Sequence, residues 1–499
     1  MDSINLTPTK KIPHWLPITL IMVVATGLYF YQLGTESLWT DELISIYRGK
    51  DLELIMRDSR PLYHFLLSGW IILSDNDAWL RSLGVIFSLG AVFGSYRLGY
   101  HLINQSAGLI TAILVSLSPL FINHAQEVRM YAPSTCFGVW GTLILAYALE
   151  NPRIWFIALW SLLRFLAIIT TPLNLLILLP DVVLIACQFY RKRPVLWRFC
   201  LGLLFIGAAW SPWIISIVTR SAEFMGGVRV SSGESTTRSL KEIPSLSQIL
   251  LQPGRFTAWS FGRANSSKIY WFYNAYSVML AGLLGWSLWQ WKRYEKLSWI
   301  AAWALLPLVP ILLASFISRS LWVDRYLLFI APYIFLLLAV GWLSIWQNLR
   351  IPALIVALIY TLAIAGSLKR YYTVNDRLDW RGLVHTISEN EQLGDEIVWS
   401  IGQNVPVALN HYYHGSNQIN IYHPPQLKTK DDPLAVEDWL ANLPANQSRL
   451  WLVCLEFSPE LESALAEQFE VKKHRSFKAI QLFLLEELDS EIEEGGKDG

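Results

Sequence analysis

Long apolar blocks alternate with short polar breaks along the first three quarters of the chain. Stretches such as Trp15–Phe30, Leu83–Leu102, Leu196–Val218 and Ile351–Leu368 approach or reach the ~20 apolar residues that a helix needs to cross ~30 Å of hydrocarbon. Blocks bounded by charge or turn residues predict about eleven spans. They lie near 15–33, 82–102, 107–122, 132–149, 154–169, 172–189, 196–219, 270–291, 298–317, 326–346 and 351–368. Pro172 divides a nearly continuous apolar run, so 154–189 can be split in more than one way. Leu62–Leu73 is too short to cross comfortably and reads as an interfacial piece. The first block has no small-residue cleavage site after it, which predicts an uncleaved first span.

Sidedness follows from the short connections. With a cytoplasmic N-terminus, one set of loops holds Lys10 and Lys11, Arg97, Arg153, Arg191-Lys192-Arg193 with Arg198, Lys292-Arg293 with Lys296, and Arg350, with hardly any acids. The opposite set holds the long segments 34–81, 220–269 and everything after about 369. An odd span count leaves the C-terminus outside. The tail changes character: Glu396–Ile401, Leu450–Leu455 and Ala479–Leu485 read as short buried strands. Helices are expected after Asp379-Trp380-Arg381-Gly382, around Asp432–Leu443 and over Pro459–Glu470. The predicted fold is therefore mainly α: a polytopic transmembrane helical bundle over 1–369, N-terminus in and C-terminus out, with a small extracytoplasmic α/β domain over 370–486. Residues 487–499 are acidic and Gly-rich and are expected to be disordered.

Composition agrees with a bilayer as the partner. The 499 residues are 53% hydrophobic and 16% charged, against roughly 25% charged in soluble domains. A net charge of +1 without a basic stripe gives no reason to expect nucleic acid. Cys136, Cys187 and Cys200 fall in or beside apolar spans and Cys454 stands alone, so packing roles and no disulfide are expected.

The polar chemistry gathers on the predicted outer side. Leu38-Trp39-Thr40-Asp41-Glu42-Leu43 puts two adjacent carboxylates at a membrane surface. A carboxylate at the bilayer centre costs about 2.5–3.5 kcal/mol on insertion scales, so acids at its edge need water, a partner or a task. An ordinary solvated loop end is the plainer alternative. His124-Ala125-Gln126-Glu127-Val128-Arg129-Met130-Tyr131 is a second cluster; helical spacing would put Glu127 and Tyr131 on one face with Arg129 turned away. It reads equally as a short polar loop. Arg319-Ser320-Leu321-Trp322-Val323-Asp324-Arg325-Tyr326 opens a later span, where an Arg serves as a lipid-phosphate clamp or as a common interfacial anchor. In Ser59-Arg60-Pro61-Leu62-Tyr63-His64 the histidine, taken alone, is more often packed or capping than catalytic.

The order of these motifs resembles a known family. A first span is followed by an outer loop opening with Asp41-Glu42, then Arg60-Pro61-Leu62-Tyr63-His64, then Arg81-Ser82 at the next span. Ser118-Pro119 and Gln126-Glu127-Val128-Arg129-Met130-Tyr131 come after it. The set is similar to the polytopic GT-C glycosyltransferases, the group of the protein mannosyltransferases, the lipid A aminoarabinose transferase and the rhizobial core transferases. The match covers roughly 15–150, and beyond that rests on Arg325-Tyr326 and the overall plan.

The resemblance implies a plasma-membrane glycosyltransferase. A sugar would move from a polyprenyl-phosphate donor to a glycolipid, glycan or protein acceptor at an extracytoplasmic active site. It implies that Asp41 is the catalytic base or orients the acceptor hydroxyl, with Glu42 as its partner in the acidic pair. Glu127, Arg129 and Tyr131 would face the same cavity, Arg325 with Tyr326 would meet the donor phosphate, and Arg60 and His64 would supply the basic Pro-containing segment. Two departures stand out. Many relatives carry His where this chain has Arg60, and a Thr-His-Tyr-like segment where it reads Thr170-Thr171-Pro172-Leu173.

The residue types suit the chemistry. A sugar phosphodiester carries its own leaving group, so the protein must stabilise departing phosphate charge and deprotonate a hydroxyl. Asp41, Glu42 and Glu127 could also offer oxygen ligands to a divalent metal, with Asp41 and Glu127 the metal candidates. A transporter or lipid flippase is the rival from another class. It expects ionisable groups deep in several spans and related halves, whereas Arg164 and Asp181 are the main internal charges. A sensor acting through its outer domain is a third reading.

Overall fold

The computed structural model describes residues 13, 15–227, 244–258, 267–317, 321–375, 377–401, 406–421, 449–455, 463, 465–467 and 469–487. The chain packs into two compact units. The first takes in Met1–Gly34, Arg48–Glu223 and Arg238–Asn375; the second takes in Thr35–Tyr47, Phe224–Thr237 and Asp376–Gly499.

The first unit is helical. By length and composition, seven helices among the described residues can cross a membrane, or eight if the bent pair Gln105–Ser116 and Pro119–Ala125 counts as one span. That is fewer than the sequence predicts. Leu16–Phe30 and Ile154–Thr170 are apolar but only 15 and 17 residues long, below the length of an unassisted crossing. Leu308–Ile317 follows Leu297–Leu305 after a break at Leu306-Pro307, and the two make one span, Leu297–Ser315. The predicted span 326–346 starts later than expected: Arg325 and Tyr326 lie in turns ahead of helix Ala331–Asn348. Arg319 and Ser320 lie outside the described residues.

Burial divides the helices into centre and rim. Tyr131–Glu150 is 83% buried over its apolar window and Ala331–Asn348 72%, while Arg350–Thr373 is 22% and Arg193–Ile214 17%. The rim helices turn Leu201, Leu204, Ile351, Leu354 and Leu358 outward, a surface that only hydrocarbon solvates well. Cys187 and Cys200 are exposed on such helices rather than packed, Cys136 is buried, and all are free thiols. At the centre, helices Asp77–Leu102 and Gln105–Ser116 touch through Gly99 and Gly108. A Cβ on Gly108 would stand 2.5 Å from the Tyr96 carbonyl oxygen, so only glycine permits this approach.

Arg164 and Asp181 meet at the buried core of this unit. Arg164 Nε donates to Asp181 Oδ2 at 2.6 Å and Nη2 to Oδ1 at 3.0 Å, a two-pronged pair with both side chains fully buried. The guanidinium also donates to the Gly138 carbonyl and to Thr142 Oγ1, both at 2.7 Å. Indole N–H groups of Trp160 and Trp303 complete the carboxylate, each at 2.9 Å.

The second unit carries a five-stranded sheet whose strands lie in the spatial order Gln418–Ile421, Glu396–Ser400, Arg449–Leu455, Ile480–Glu487 and Phe469–Phe477. β1 (Glu396–Ser400), β2 (Gln418–Ile421) and β3 (Arg449–Leu455) are parallel; β5 (Ile480–Glu487) pairs antiparallel with β3 and with β4 (Phe469–Phe477). β1, β3 and β5 coincide with the apolar runs. β2 and β4 were not visible in the sequence: β4 reads Phe-Glu-Val-Lys-Lys-His-Arg-Ser-Phe, an edge strand whose charges guard it against pairing with another chain. Val398, Leu450, Leu452, Leu465, Phe469, Phe483 and Leu485 form the core on one face. Helix Trp380–Asn390 starts at Asp379, whose carboxylate accepts from the Gly382 amide at 3.0 Å, and Trp380 stacks on Trp399 with ring centres 5.5 Å apart. Of the described residues within 459–470, Ser463 and Leu465–Glu467 are helical and Phe469 already begins β4. The segment 432–443 and residues 488–499 lie outside the described residues.

Candidate functional site

In the first unit the site is built around a broken span. Ser118 and Pro119 end one helix and start the next: Ser118 Oγ accepts from the Phe121 amide at 3.3 Å, proline fills the first helical position, and the two helices bend by 64°. The chain then leaves helix Pro119–Ala125 and runs through bends over 126–130 before helix Tyr131–Glu150 begins. Glu127 and Tyr131 therefore do not share a helical face as their spacing predicts: Glu127 lies in the bends and Tyr131 begins the next helix.

Gln126 fastens this irregular segment. Its Nε2 donates to the carbonyls of Tyr29 at 2.9 Å and Tyr31 at 2.8 Å, and its Oε1 accepts from Tyr371 Oη at 2.8 Å. Gly84 supports it from below, since a Cβ there would stand 2.6 Å from the Ala125 carbonyl oxygen. Glu127 is held in turn: Asn123 Nδ2 donates to Oε1 at 2.7 Å and His124 Nδ1 lies 2.8 Å from Oε2. The Arg129 guanidinium sits 5.8 Å from the Tyr131 ring centre. All three side chains are buried.

Tyr131 leads into a cavity of about 320 Å³. Ser59, Arg60, Tyr131, Thr171 and Tyr326 bring polar groups to its lining, and Met130, Pro172, Leu173, Leu175 and Leu176 apolar ones. Tyr131, Thr171, Leu173 and Tyr326 also line a small void of about 10 Å³ whose wall includes Arg325. The Arg325 guanidinium lies 5.3 Å from the Tyr326 ring centre. Arg60, Tyr131, Arg325 and Tyr326 are thus neighbours, brought together from distant parts of the sequence. Thr171, one of the positions at which the sequence departs from the family it resembles, stands in the same wall.

Asp58 organises the basic end, and the sequence reading passed over it. It is buried, and accepts from Arg48 Nη1 at 2.8 Å, from the Arg60 amide at 2.9 Å and from Arg60 Nε at 3.1 Å, with His64 Nε2 at 3.6 Å. Burial works to raise the Asp58 pKa, but the His64 ring and the Arg60 charge outweigh it and hold the carboxyl well below the usual range. His64 is itself buried against Asp58 and does not line the cavity. A hint was available: Arg57-Asp58-Ser59-Arg60 brackets the acid with two cations, although Arg57 pairs with Glu53 and the distant Arg48 takes its place.

Asp41 and Glu42 belong to the second unit, in the first turn of helix Thr40–Gly49. Glu42 is fully buried; its Oε2 accepts from the Trp39 amide at 3.1 Å and from Arg377 Nη1 at 3.1 Å. It caps its own helix from the third position. Asp41 is half-buried beside it, and its carbonyl accepts from Ser45 Oγ at 2.9 Å. As for a metal, no group of three or more His, Cys, Asp or Glu among the described residues is placed to hold an ion. Both Glu127 oxygens are already engaged by Asn123 and His124.

No family model matches the sequence, and no curated protein matches it either. Solved structures do. ArnT from Cupriavidus metallidurans, bound to undecaprenyl phosphate, superposes with a TM-score of 0.60 at 13% identity over 95% of this chain and 99% of its own. The Archaeoglobus fulgidus oligosaccharyltransferase AglB, in complex with an inhibitory peptide and a dolichol-phosphate, gives 0.51 at 12% identity over 98% and 75%. An Archaeoglobus fulgidus oligosaccharyltransferase in complex with zinc and sulfate gives 0.51 at 11% over 88% and 68%. ArnT and AglB are both GT-C glycosyltransferases. This chain has the GT-C fold. The sequence resemblance, carried by short ordered motifs, pointed to the same architecture.

Proposed function

We propose that this protein is a membrane glycosyltransferase that moves a sugar from a polyprenyl-phosphate donor to an extracytoplasmic acceptor. The observation that carries the reading is the cavity lined by Arg60 and by leucines, in a chain with the GT-C fold. A cationic group beside an apolar lining is what a lipid phosphate requires. ArnT was solved with undecaprenyl phosphate and AglB with dolichol-phosphate, ligands of this class.

In the proposed reaction the acceptor oxygen forms a bond to the anomeric carbon, and the bond from that carbon to the phosphate oxygen breaks. The acceptor proton passes to Asp41. The polyprenyl phosphate leaves with the bonding electrons, and Arg60 and Arg325 offset its charge, assisted by the Tyr131 and Tyr326 hydroxyls. Glu42, taken by its helix cap and by Arg377, holds Asp41 rather than acting on substrate. Glu127 and Arg129 support the Tyr131 wall, and His64 acts through Asp58 on Arg60. No step is routed through a metal, because the donor set expected for one is not gathered among the described residues.

The reading includes about eleven crossings: the seven long apolar helices, the bent pair, the short helices Leu16–Phe30 and Ile154–Thr170, and helix Ser267–Trp289. It also includes a cytoplasmic N-terminus, with residues 370–486 and the active site on the outer face of the plasma membrane. The transporter alternative expects ionisable groups available for cargo within the spans, and the Arg164–Asp181 pair is already saturated. The test is transfer in proteoliposomes loaded with a panel of undecaprenyl-phosphate sugars. Asp41→Asn should lower the rate by roughly 10²–10⁴-fold while undecaprenyl phosphate still binds. An unchanged rate would refute the assignment.

A further inference from the structure

The segment that carries Asp41 is tied, residue after residue, to the start of the C-terminal domain. The Thr35 carbonyl accepts from Arg381 Nη2 at 3.1 Å. Glu36 pairs with Arg377 Nε at 3.1 Å. Ser37 Oγ donates to Asp379 Oδ1 at 3.2 Å and accepts from the Arg381 amide at 3.1 Å. The Leu38 amide donates to Tyr412 Oη at 2.8 Å, and Glu42 receives Arg377 Nη1. Arg377 therefore grips carboxylates on both sides of Leu38-Trp39-Thr40-Asp41. Its side chain is 13% exposed and that of Glu42 0%, so the grip is sheltered from water and salt.

We infer that Arg377 is a positioning residue for Asp41, and that the C-terminal domain serves this reaction as a brace for the acid-bearing helix. A planar guanidinium is suited to the task, because Nε and Nη1 reach two different carboxylates at fixed angles; a lysine ammonium has the donors but not the rigid fork. Glu42 links the grip to the helix: the oxygen that meets Arg377 also accepts the Trp39 amide, so the cation fixes the cap and the cap fixes the first turn. Asp41 is in that turn. The inference rests on the proposed role of Asp41, but the brace itself does not.

The experiment uses the full-length protein in nanodiscs and proteoliposomes. Hydrogen–deuterium exchange reads the brace without any substrate: Arg377→Gln should speed exchange over Trp39–Ser45 while β1, β3 and β5 stay protected. Transfer from undecaprenyl-phosphate sugars reads the consequence. A displacement of about 1 Å at a reacting group costs on the order of 100-fold, so kcat should fall by that order with KM for the donor within about threefold. Arg377→Lys should recover part of the loss. Arg377→Gln and Glu42→Gln together should lose no more than either alone, since both break one link. Unchanged exchange over Trp39–Ser45, or additive losses in the double variant, would overturn the inference. Faster exchange in a protein that transfers no sugar from any donor would leave the brace standing and remove the glycosyltransferase reading instead.

Discussion

Replacing Arg164 by methionine would strand a negative charge in the middle of the helical unit. Arg164 supplies two of the four donors to Asp181, and the two that remain are the neutral indoles of Trp160 and Trp303. Both charged side chains are fully buried, which decides the magnitude. An exposed pair contributes about 0–1 kcal/mol, whereas breaking a buried pair from one side costs about 3–5 kcal/mol. Against a typical total of about 5–15 kcal/mol, that is about a fifth of the stability or more. Asp181→Asn strands the guanidinium instead and should cost the same order. Arg164→Met with Asp181→Asn removes both charges, so the double variant should cost about 3 kcal/mol less than the sum of the singles. The assay is SDS titration in mixed micelles, followed by tryptophan fluorescence, to which Trp160 and Trp303 contribute at the pair itself. Additive costs, or a single-variant loss below about 1 kcal/mol, would refute the reasoning and reopen the case for a charge that works in transport.

Asp58→Asn should raise KM for the lipid donor more than it lowers kcat, because Arg60 loses the carboxylate that aims it; steady-state transfer kinetics separate the two. The same carboxyl predicts a pH dependence. Its folded pKa is depressed, so its stabilisation is complete above the unfolded value near ~4 and is lost as pH falls from there toward the folded value. Unfolding midpoints measured from pH 6 to pH 3 should fall more steeply for the wild type than for Asp58→Asn. Gly84→Ala would press a methyl against the Ala125 carbonyl, costing about 1–3 kcal/mol and reducing transfer, whereas Gly27→Ala, with open space around it, should do neither. Gln126→Ala should lower the thermal midpoint, at about 0.5–1.5 kcal/mol for each of its three hydrogen bonds.

What the sequence determined by itself was the property that composition carries locally. Helix-forming apolar stretches declare themselves locally, so the long apolar helices, the Pro172 interruption and the three apolar strands of the tail were legible without neighbours, though not the number of spans. Motif order added the fold. Other features came only from the tertiary structure, because they depend on which distant residues meet. Asp58 is an ordinary loop acid until Arg48 and Arg60 close on it. Gln126 is one letter of a motif until Tyr29, Tyr31 and Tyr371 surround it. β4 looks like a charged surface run until β5 supplies its partners. Glu42 could be read as half of an acidic pair, but Arg377, more than three hundred positions away, makes it a brace. Hydrophobic partitioning is set by a residue and its near neighbours, whereas the strength of a charge or a hydrogen bond is set by burial and by the partner that folding delivers.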